Sequence, residues 1–391
     1  MTGSLQEWDR HINAFVALSD APAETGPLDG LLIGVKDIID VRGLPTRNGS
    51  AACADAMPAE HDAMVVRRLR GAGAQIIGKT TTTEFAFTDP TPCRNPHDLA
   101  RSPGGSSSGS GAAVGAGVID IALGTQTAGS LIRPSAYCGV VGFKPSAGLL
   151  PMDGVTPLAR SFDTVGIIAR NVSLAKRTFE VIAPRVASVD PRDPKVICGL
   201  WNTDVDVPSD WFQALVGARA ALGSLSDVTH CTLPCDLDRV VSAHRTVMCA
   251  EAFAAHHALL DDKAHLLQPK FRAGLEAGRD VDDSALSAAW RVLNDARVSF
   301  WNAMKHTNLI LTLPVPEGAP LIDGTTGFQD WLTPWTVFGG PLICLPWGLD
   351  AVSRPRSVML AAHPGQDLFV LAVAAQLEHH APKIPAPQLP L

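Results

Sequence analysis

Hydroxyl and amine side chains that could carry out acyl transfer are grouped in the first third of the chain. Serine is concentrated in PGGSSSGSGAAVGAG at residues 103–117, and a second cluster of glycine and hydroxyl residues, GTQTAGSLIRPSAYCG, follows at 124–139. A serine hydroxyl is a poor nucleophile until a base removes its proton. Lys36, within the apolar run LIGVKDIID, could be that base, because burial among apolar neighbours disfavours the ammonium form. The alternative is an ordinary lysine at a strand end that pairs with Asp37.

The first of these serine-rich segments has three other interpretations. Its composition is typical of a flexible linker between domains. A phosphate-binding loop would need a lysine at its end, and the sequence has no lysine between residues 80 and 143. A nucleophile elbow fits the G-x-S-x-G spacing around Ser107, but such an elbow follows a buried strand, whereas CRNPHDLARSP precedes this one. An apolar helix, a strand and the second cluster follow directly, which favours two loops that meet at one end of a sheet.

Alternating strand and helix patterns supply the elements that must position these loops. Short apolar runs predict strands, and amphipathic patterns predict helices. The predicted strands are 31–39, 75–79, 119–125, 140–145, 163–170, 196–200, 308–314, 341–346 and 357–362, and the predicted helices are 62–74, 208–223, 238–260, 284–306 and 366–380. The alternation predicts an α/β fold: one large sheet covered by helices.

Composition excludes several classes of protein. The 391 residues are 46% hydrophobic and carry a formal charge of −7, so we expect a globular protein without a nucleic-acid-binding surface. No stretch is apolar enough to span a membrane, and the N-terminus lacks a signal-peptide pattern. Eight cysteines without zinc-like pairing favour reduced thiols and a cytoplasmic location. The pairs His256–His257 and His379–His380 are expected on helix surfaces, so we expect neither a metal site nor a cofactor.

Taken together, these motifs resemble the amidase signature family. The resemblance is carried by GPLDGLLIGVKDIID at 26–40, RLRGAGAQIIGKTTTTEFAF within 62–90, RNPHDLARSPGGSSSGSGAAVGAG at 94–117, GTQTAGSLIRPSAYCGVVGFKPSAG at 124–148 and SFDTVGIIAR at 161–170. A weaker similarity near the C-terminus begins with GGPLICLPWGL. The resemblance implies a single α/β/α domain over residues 1–391 around a twisted, mixed sheet, with core motifs at 26–170, a variable helical part at about 196–306 and C-terminal strands and a helix at 308–380.

The resemblance also implies a catalytic machinery. In this family a Ser–Ser–Lys triad hydrolyses amides through an acyl-enzyme, and a cis peptide bond precedes the middle serine. By motif position, the nucleophile is Ser130, the bridging serine is Ser106 and the lysine is Lys36. Backbone N–H groups of Thr127, Ala128, Gly129 and Ser130 would form the oxyanion hole, and Ser108 and Thr125 would be supporting hydrogen-bonding partners.

Three departures from the usual GTDTGGS pattern bear on the substrate. Gln126 replaces aspartate, Ala128 replaces glycine, and the arginine that usually follows the nucleophile by two residues follows it by three, as Arg133. The malonamidase branch of the family has GTQT and the same shifted arginine, which there binds a substrate carboxylate. The resemblance therefore implies a small carboxylate-bearing amide such as malonamate, and a homodimer by family habit.

One other substrate, one other function and one other role for Arg133 remain open. A carboxylated urea would suit the same arginine, and the A subunit of a tRNA-dependent amidotransferase shares the triad but needs partner subunits. Arg133 could instead pair with a carboxylate of its own fold.

Overall fold

Eleven strands of the described chain form one mixed sheet. The structure is a computed structural model that describes residues 2–183, 196–198, 206–223, 228–230, 234–322 and 324–389. The strands are β1 (Phe15–Leu18), β2 (Leu32–Lys36), β3 (Gln75–Thr80), β4 (Ile121–Gln126), β5 (Val141–Lys144), β6 (Thr164–Ala169), β7 (Val196–Cys198), β8 (Val228–His230), β9 (Leu309–Thr312), β10 (Leu342–Leu349) and β11 (Pro355–Ala362). Their order in the sheet is β1-β3-β2-β4-β6-β5-β10-β11-β9-β7-β8. The predicted α/β fold with a mixed sheet is confirmed.

The register of β2, β4 and β6 determines where Lys36 meets the second cluster of glycine and hydroxyl residues. β2 is parallel to β4, with Val35 opposite Leu123, so the carboxyl ends of both strands lie at the same edge of the sheet. β6 is antiparallel to β4, with Thr164 opposite Gln126, so β6 begins at that edge. Lys36, the loop after Gln126 and the residues just before Thr164 therefore converge.

Twelve α-helices accompany the sheet in the described residues. They are α1 (Thr2–Ile12), α2 (Met64–Gly71), α3 (Ser108–Gly115), α4 (Ile132–Tyr137), α5 (Val172–Ile182), α6 (Ser209–Gly223), α7 (Leu237–His256), α8 (Ala258–Asp262), α9 (Pro269–Arg279), α10 (Asp283–Ala303), α11 (Thr333–Phe338) and α12 (Asp367–Glu378). The long helices α7 and α10 begin at Asp236 and Asp282, whose carboxylates accept N–H bonds from the first turn. None of the helices in these ranges is long and apolar enough to cross a membrane.

Most predicted elements are present within a few residues of their predicted bounds. The predicted helix at 238–260 is divided at His257 into α7 and α8. Of the predicted strand at 196–200, residues 196–198 form β7 and the last two lie outside the described residues. Seven of the helices and strands were not predicted: α1, α4, α5, α9, α11 and the short strands β1 and β8. Helix α4 lies inside the second serine-rich cluster, where only a loop was expected.

The serine-rich segment at 103–117 is buried, so the linker interpretation is wrong. Ser107 and Ser110 are fully buried, and α3 packs against α4 and the sheet. A Cβ atom at Gly109 would lie 2.2 Å from the Ala14 carbonyl oxygen and 2.4 Å from the Thr81 nitrogen. Glycine is required there because two other backbone segments approach α3 too closely for a side chain, which has nothing to do with flexibility.

Candidate active site

Lys36 lies at the end of β2, fully buried, between two hydroxyl groups. Its Nζ atom donates hydrogen bonds to Ser106 Oγ at 2.6 Å and Thr125 Oγ1 at 2.8 Å. Burial lowers the pKa of Lys36 to about 7, and the charge of Asp163 opposes this shift. A pKa near neutrality leaves a large fraction of the amine unprotonated at pH 7, as a general base requires.

Asp37 does not pair with Lys36, contrary to the alternative drawn from sequence. Its carboxylate lies 2.9 Å from Lys79 Nζ, and both side chains are buried. Lys36, the last residue of β2, and Asp37, the residue after it, therefore have different partners. Lys36 has hydroxyl partners and no carboxylate within ion-pair distance among the described residues.

The loop before α3 brings Ser106 to Lys36. The peptide bond between Gly105 and Ser106 is cis, as the resemblance implies. The Ser106 carbonyl oxygen accepts the Thr83 N–H at 3.2 Å, and the next N–H, from Ser107, donates to the Ser130 carbonyl oxygen at 3.1 Å. Two backbone contacts thus connect this loop to the segment after β3 and to Ser130. Among the described residues, no hydrogen bond connects the hydroxyl groups of Ser106 and Ser130.

The hydroxyl groups of Ser107 and Ser108 bind backbone atoms of the protein. Ser107 Oγ lies 3.3 Å from both the N–H and the carbonyl oxygen of Thr125. This arrangement disfavours a nucleophile elbow centred on Ser107, because its hydroxyl is fully buried against β4. Ser108, predicted to support the triad, donates its hydroxyl to the Gly104 carbonyl oxygen at 2.8 Å and so contacts the loop rather than Lys36.

The turn between β4 and α4 presents four consecutive N–H groups without a protein acceptor. Within the described part of the chain, no carbonyl or side chain accepts the backbone N–H of Thr127, Ala128, Gly129 or Ser130. All four carbonyl oxygens, in contrast, accept hydrogen bonds from the protein. A run of consecutive N–H groups without a protein acceptor can bind an anion. Its position beside Ser130 suits the oxyanion of an acyl-transfer reaction.

Gln126 holds the two ends of this turn together. Its side-chain oxygen accepts the N–H groups of Leu131 and Ile132 at 3.1 and 3.0 Å. Its Nε2 atom donates to Thr336 Oγ1 at 3.0 Å, and Thr336 Oγ1 donates to the Ala128 carbonyl oxygen at 2.5 Å. A buried carboxamide can both accept and donate, so this one side chain satisfies both requirements.

Asp163 was not predicted as part of the site. It precedes β6, where one carboxylate oxygen accepts the Thr127 hydroxyl at 2.6 Å and the other accepts the N–H groups of Leu158 and Ala159. Burial raises the pKa of Asp163 to about 6, against the effect of these hydrogen bonds and of Lys36. The available signal was the SFDTVGIIAR motif at 161–170, which carries part of the family resemblance and contains Asp163.

Arg133 lies in α4, one turn from Ser130, and is almost fully buried. Its Nη2 atom donates to the Gly105 carbonyl oxygen at 2.7 Å and to Thr326 Oγ1 at 3.3 Å. Nε and Nη1 are buried and have no partner, and Arg133 forms no ion pair within the described residues. Burial lowers the pKa of its guanidinium to about 10. The alternative that Arg133 pairs with a carboxylate of its own fold is not observed there.

His256 is not a surface residue, contrary to the expectation from sequence. Its Nε2 atom lies 2.7 Å from the Pro157 carbonyl oxygen, and its ring packs against Phe85 and Phe271. His257 is exposed, as expected. Within the described ranges, no group of three or more histidine, cysteine, aspartate or glutamate residues could hold a metal ion.

The contact of Lys36 with Ser106 and the adjacent turn at residues 127–130 are suited to acyl transfer. Comparison with known proteins identifies the family. A model of the amidase family matches residues 9–371. The chain belongs to the amidase family, which confirms the resemblance at that level.

Named relatives of the chain are components of an amidotransferase. The A subunit of glutamyl-tRNA(Gln) amidotransferase from Anaeromyxobacter sp. (strain K) is 42% identical over 210 residues, 48% of this chain. The chain spans less than half of that relative, 42% of its length. The protein of the same name from Anaeromyxobacter dehalogenans (strain 2CP-C) is 30% identical over an alignment 461 positions long. This alignment covers 99% of this chain and 92% of that protein.

Solved structures share the fold over nearly the whole chain. The crystal structure of the A subunit of glutamyl-tRNA(Gln) amidotransferase from Thermotoga maritima has a TM-score of 0.86 at 25% identity and covers 100% of this chain and 93% of that one. A structure described as an amidase has a TM-score of 0.81 at 28% identity and covers 97% of this chain and 95% of that one.

Proposed function

We propose that this protein hydrolyses an amide through an acyl-enzyme on Ser130, with Lys36 as the base and Ser106 as the bridge between them. The observation that carries the proposal is the 2.6 Å hydrogen bond from buried Lys36 Nζ to Ser106 Oγ. A lysine in this setting has a pKa near 7 and can exist as a neutral amine. Family membership supports the same reaction class.

The first step transfers the Ser130 proton and forms the bond to the substrate. Neutral Lys36 accepts the Ser106 proton while Ser106 accepts that of Ser130, whose Oγ then attacks the amide carbon. The hydroxyl groups of Ser106 and Ser130 form no hydrogen bond with each other in the described structure, but catalytic hydrogen bonds often form or shorten only when the substrate is bound. The proton on Lys36 returns through Ser106 to the leaving nitrogen, and the C–N bond breaks. That step releases ammonia when the substrate is a primary amide. Water then cleaves the ester by the same relay, giving a carboxylate and free Ser130.

The negative charge that develops on the carbonyl oxygen would be stabilised by the turn at residues 127–130. Its four N–H groups have no acceptor among the residues that the structure describes, so they can bind the oxyanion without first breaking a hydrogen bond to that part of the protein. Donors arranged in advance stabilise the transition state more than water, which must reorient. Loss of one such donor lowers kcat by about 10²–10³-fold in other hydrolases.

The substrate we propose is a short amide that carries a carboxylate, such as malonamate. Nε and Nη1 of Arg133 are buried and have no partner in the described part of the chain, and an unpaired buried polar group is unfavourable by about 1–3 kcal/mol. A substrate carboxylate would satisfy them. A Cβ atom at Gly129 would lie 3.5 Å from Arg133 Nη1, so the guanidinium is adjacent to the oxyanion turn. That proximity favours a short spacer between the amide and the carboxylate.

A panel of small amides tests the substrate class. Malonamate and a carboxylated urea would be compared with neutral butyramide, and ammonia release would be measured for the wild type and for Ser130→Ala. We expect turnover to be fastest on the anionic compounds and absent in Ser130→Ala. Hydrolysis that persists in Ser130→Ala would contradict the proposed reaction.

A second candidate function is that of an amidotransferase A subunit. It is favoured by the names of the curated relatives, one of which aligns over 99% of this chain. In that role the chain would work with partner subunits. Glutamine as the preferred substrate, with activity that depends on added partner subunits, would support this second candidate over the first.

A further inference from the structure

The turn at residues 127–130 is held by side chains from the distant helical half of the chain. In a trans peptide, the carbonyl of one residue and the N–H of the next point in opposite directions. A hydrogen bond that holds the Thr127 carbonyl therefore also sets the direction of the Ala128 N–H. In the same way, a bond to the Ala128 carbonyl sets the direction of the Gly129 N–H.

His244 holds the first of these carbonyls. It lies in α7, is 2% exposed, and its Nε2 atom is 2.8 Å from the Thr127 carbonyl oxygen. Because its partner is a carbonyl, Nε2 must carry the proton. Burial lowers the pKa of His244 to about 4, so the ring is neutral at pH 7. Its ring packs against Phe162 at a centroid distance of 4.3 Å.

Thr336 holds the second carbonyl. It lies in α11, is 4% exposed, and donates its hydroxyl to the Ala128 carbonyl oxygen at 2.5 Å. Gln126 Nε2 donates to the same hydroxyl oxygen at 3.0 Å, which leaves the Thr336 proton free to point only towards Ala128. Neither His244 nor Thr336 belongs to a motif that the resemblance includes.

We propose that His244 and Thr336 are positioning residues that aim the N–H groups of Ala128 and Gly129 at the substrate oxyanion. This inference rests on the proposed function, because it assigns these residues to the same acyl-transfer step. Their loss would lower the rate of the chemical step while substrate affinity stays nearly constant, since the oxyanion exists only in the transition state.

Four variants separate hydrogen bonding from packing. His244→Phe keeps a ring against Phe162 but removes the donor, whereas His244→Gln restores a donor at a similar distance from the backbone. Thr336→Val removes the hydroxyl at nearly constant shape, and Thr336→Ser keeps it. His256→Phe is the matched control, because His256 lies in the same helix and also contacts a backbone carbonyl, that of Pro157.

Each variant would be assayed with p-nitrophenyl acetate and with the amide that the wild type hydrolyses fastest, together with its Tm. We expect His244→Phe and Thr336→Val to lower kcat by about 10–100-fold with KM changed by less than about threefold, because the donors are misdirected rather than removed. The Gln and Ser variants should recover most of kcat. His256→Phe should lower Tm but leave kcat near the wild-type value.

Three outcomes would overturn the inference. Wild-type kcat in a folded His244→Phe or Thr336→Val protein would do so while leaving the proposed function intact, provided Ser130→Ala is inactive. If kcat decreases in step with the decrease in Tm in all variants, including His256→Phe, the role of His244 and Thr336 is purely structural. Turnover that survives Ser130→Ala, or a wild type inactive on every ester and amide, would instead reject the proposed function and the inference with it.

Discussion

Lys36 Nζ lies 2.6 Å from Ser106 Oγ, although 70 residues separate the two in the chain. The contact exists because β2 is parallel to β4 in the sheet, and Ser107, in the loop before α3, contacts the backbone of Thr125 near the carboxyl end of β4. The amine is fully buried and has only hydroxyl partners among the described residues, so no carboxylate holds it in the ammonium form at contact distance. A lysine so placed is suited to exchange a proton with serine.

If Lys36, Ser106 and Ser130 act as one unit, their substitutions are not additive. We expect Lys36→Ala and Ser130→Ala each to lower kcat by about 10³-fold or more, with the double variant little worse than either alone, as in other catalytic triads. The measurement is steady-state kinetics on the best amide of the panel. Effects that multiply in the double variant would mean that the two residues act independently.

The activity should rise with pH through the pKa of Lys36. The protonated amine cannot accept a proton, so kcat/KM should increase about tenfold per pH unit below pH 7 and level off above it. The charge of Asp163 raises the pKa of Lys36, so Asp163→Asn should shift this acidic limb to lower pH. A limb that stays in place, or moves to higher pH, would show that Asp163 does not act on the titrating group.

Arg133→Lys should discriminate between charged and neutral substrates. Lysine keeps the positive charge but lacks the Nε and Nη1 donors, so KM for malonamate should rise by about 10–100-fold, from the 1.5–3 kcal/mol typical of a hydrogen bond to a charged group. KM for butyramide, which has no carboxylate, should change little.

The control for Arg133→Lys is thermal stability. Arg133 also donates to the Gly105 carbonyl oxygen, so a structural loss would affect both substrates. Equal losses on malonamate and butyramide, accompanied by a lower Tm, would make Arg133 structural and would withdraw the carboxylate from the proposed substrate.

Gln126→Glu should weaken the turn at residues 127–130, although the two side chains are nearly equal in size. Glutamate can still accept the N–H groups of Leu131 and Ile132 but cannot donate to Thr336, whose hydroxyl would then turn from Ala128 towards the carboxylate. We expect a lower kcat and a loss of about 1–3 kcal/mol in the free energy of unfolding, measured by denaturant titration. Gln376→Glu, on the exposed face of α12, is the control and should be nearly neutral. An equal effect of both changes would assign the loss to added charge.

Lys36, Ser106 and Ser130 could be named from the sequence, because each lies in a local motif that carries the family resemblance. The structure brings Lys36 and Ser106 into contact. His244 and Thr336 could not be found in this way, since their partners Thr127 and Ala128 are 117 and 208 residues away in the chain. Each belongs to a helix whose pattern indicates only burial.

Elements of the fold were likewise predicted where the local sequence pattern is strong and missed where tertiary packing determines the structure. Apolar runs predicted β4 and β6 well, because both are buried along their whole length. β1 has an alternating, half-exposed pattern over four residues, too short for a reliable period. α4 was missed because IRPSAY contains a proline and small residues, and its six residues are buried by tertiary packing rather than favoured by helix propensity.

The most direct test of the account is the site of covalent modification by an activated acyl donor. The protein would be reacted with p-nitrophenyl acetate, quenched in acid during the first turnovers, and digested for peptide mass spectrometry. The account predicts acetylation of Ser130 in the wild type and no adduct in Ser130→Ala. An acetyl group on Ser107, or amide hydrolysis without any serine adduct on Ser130, would contradict it.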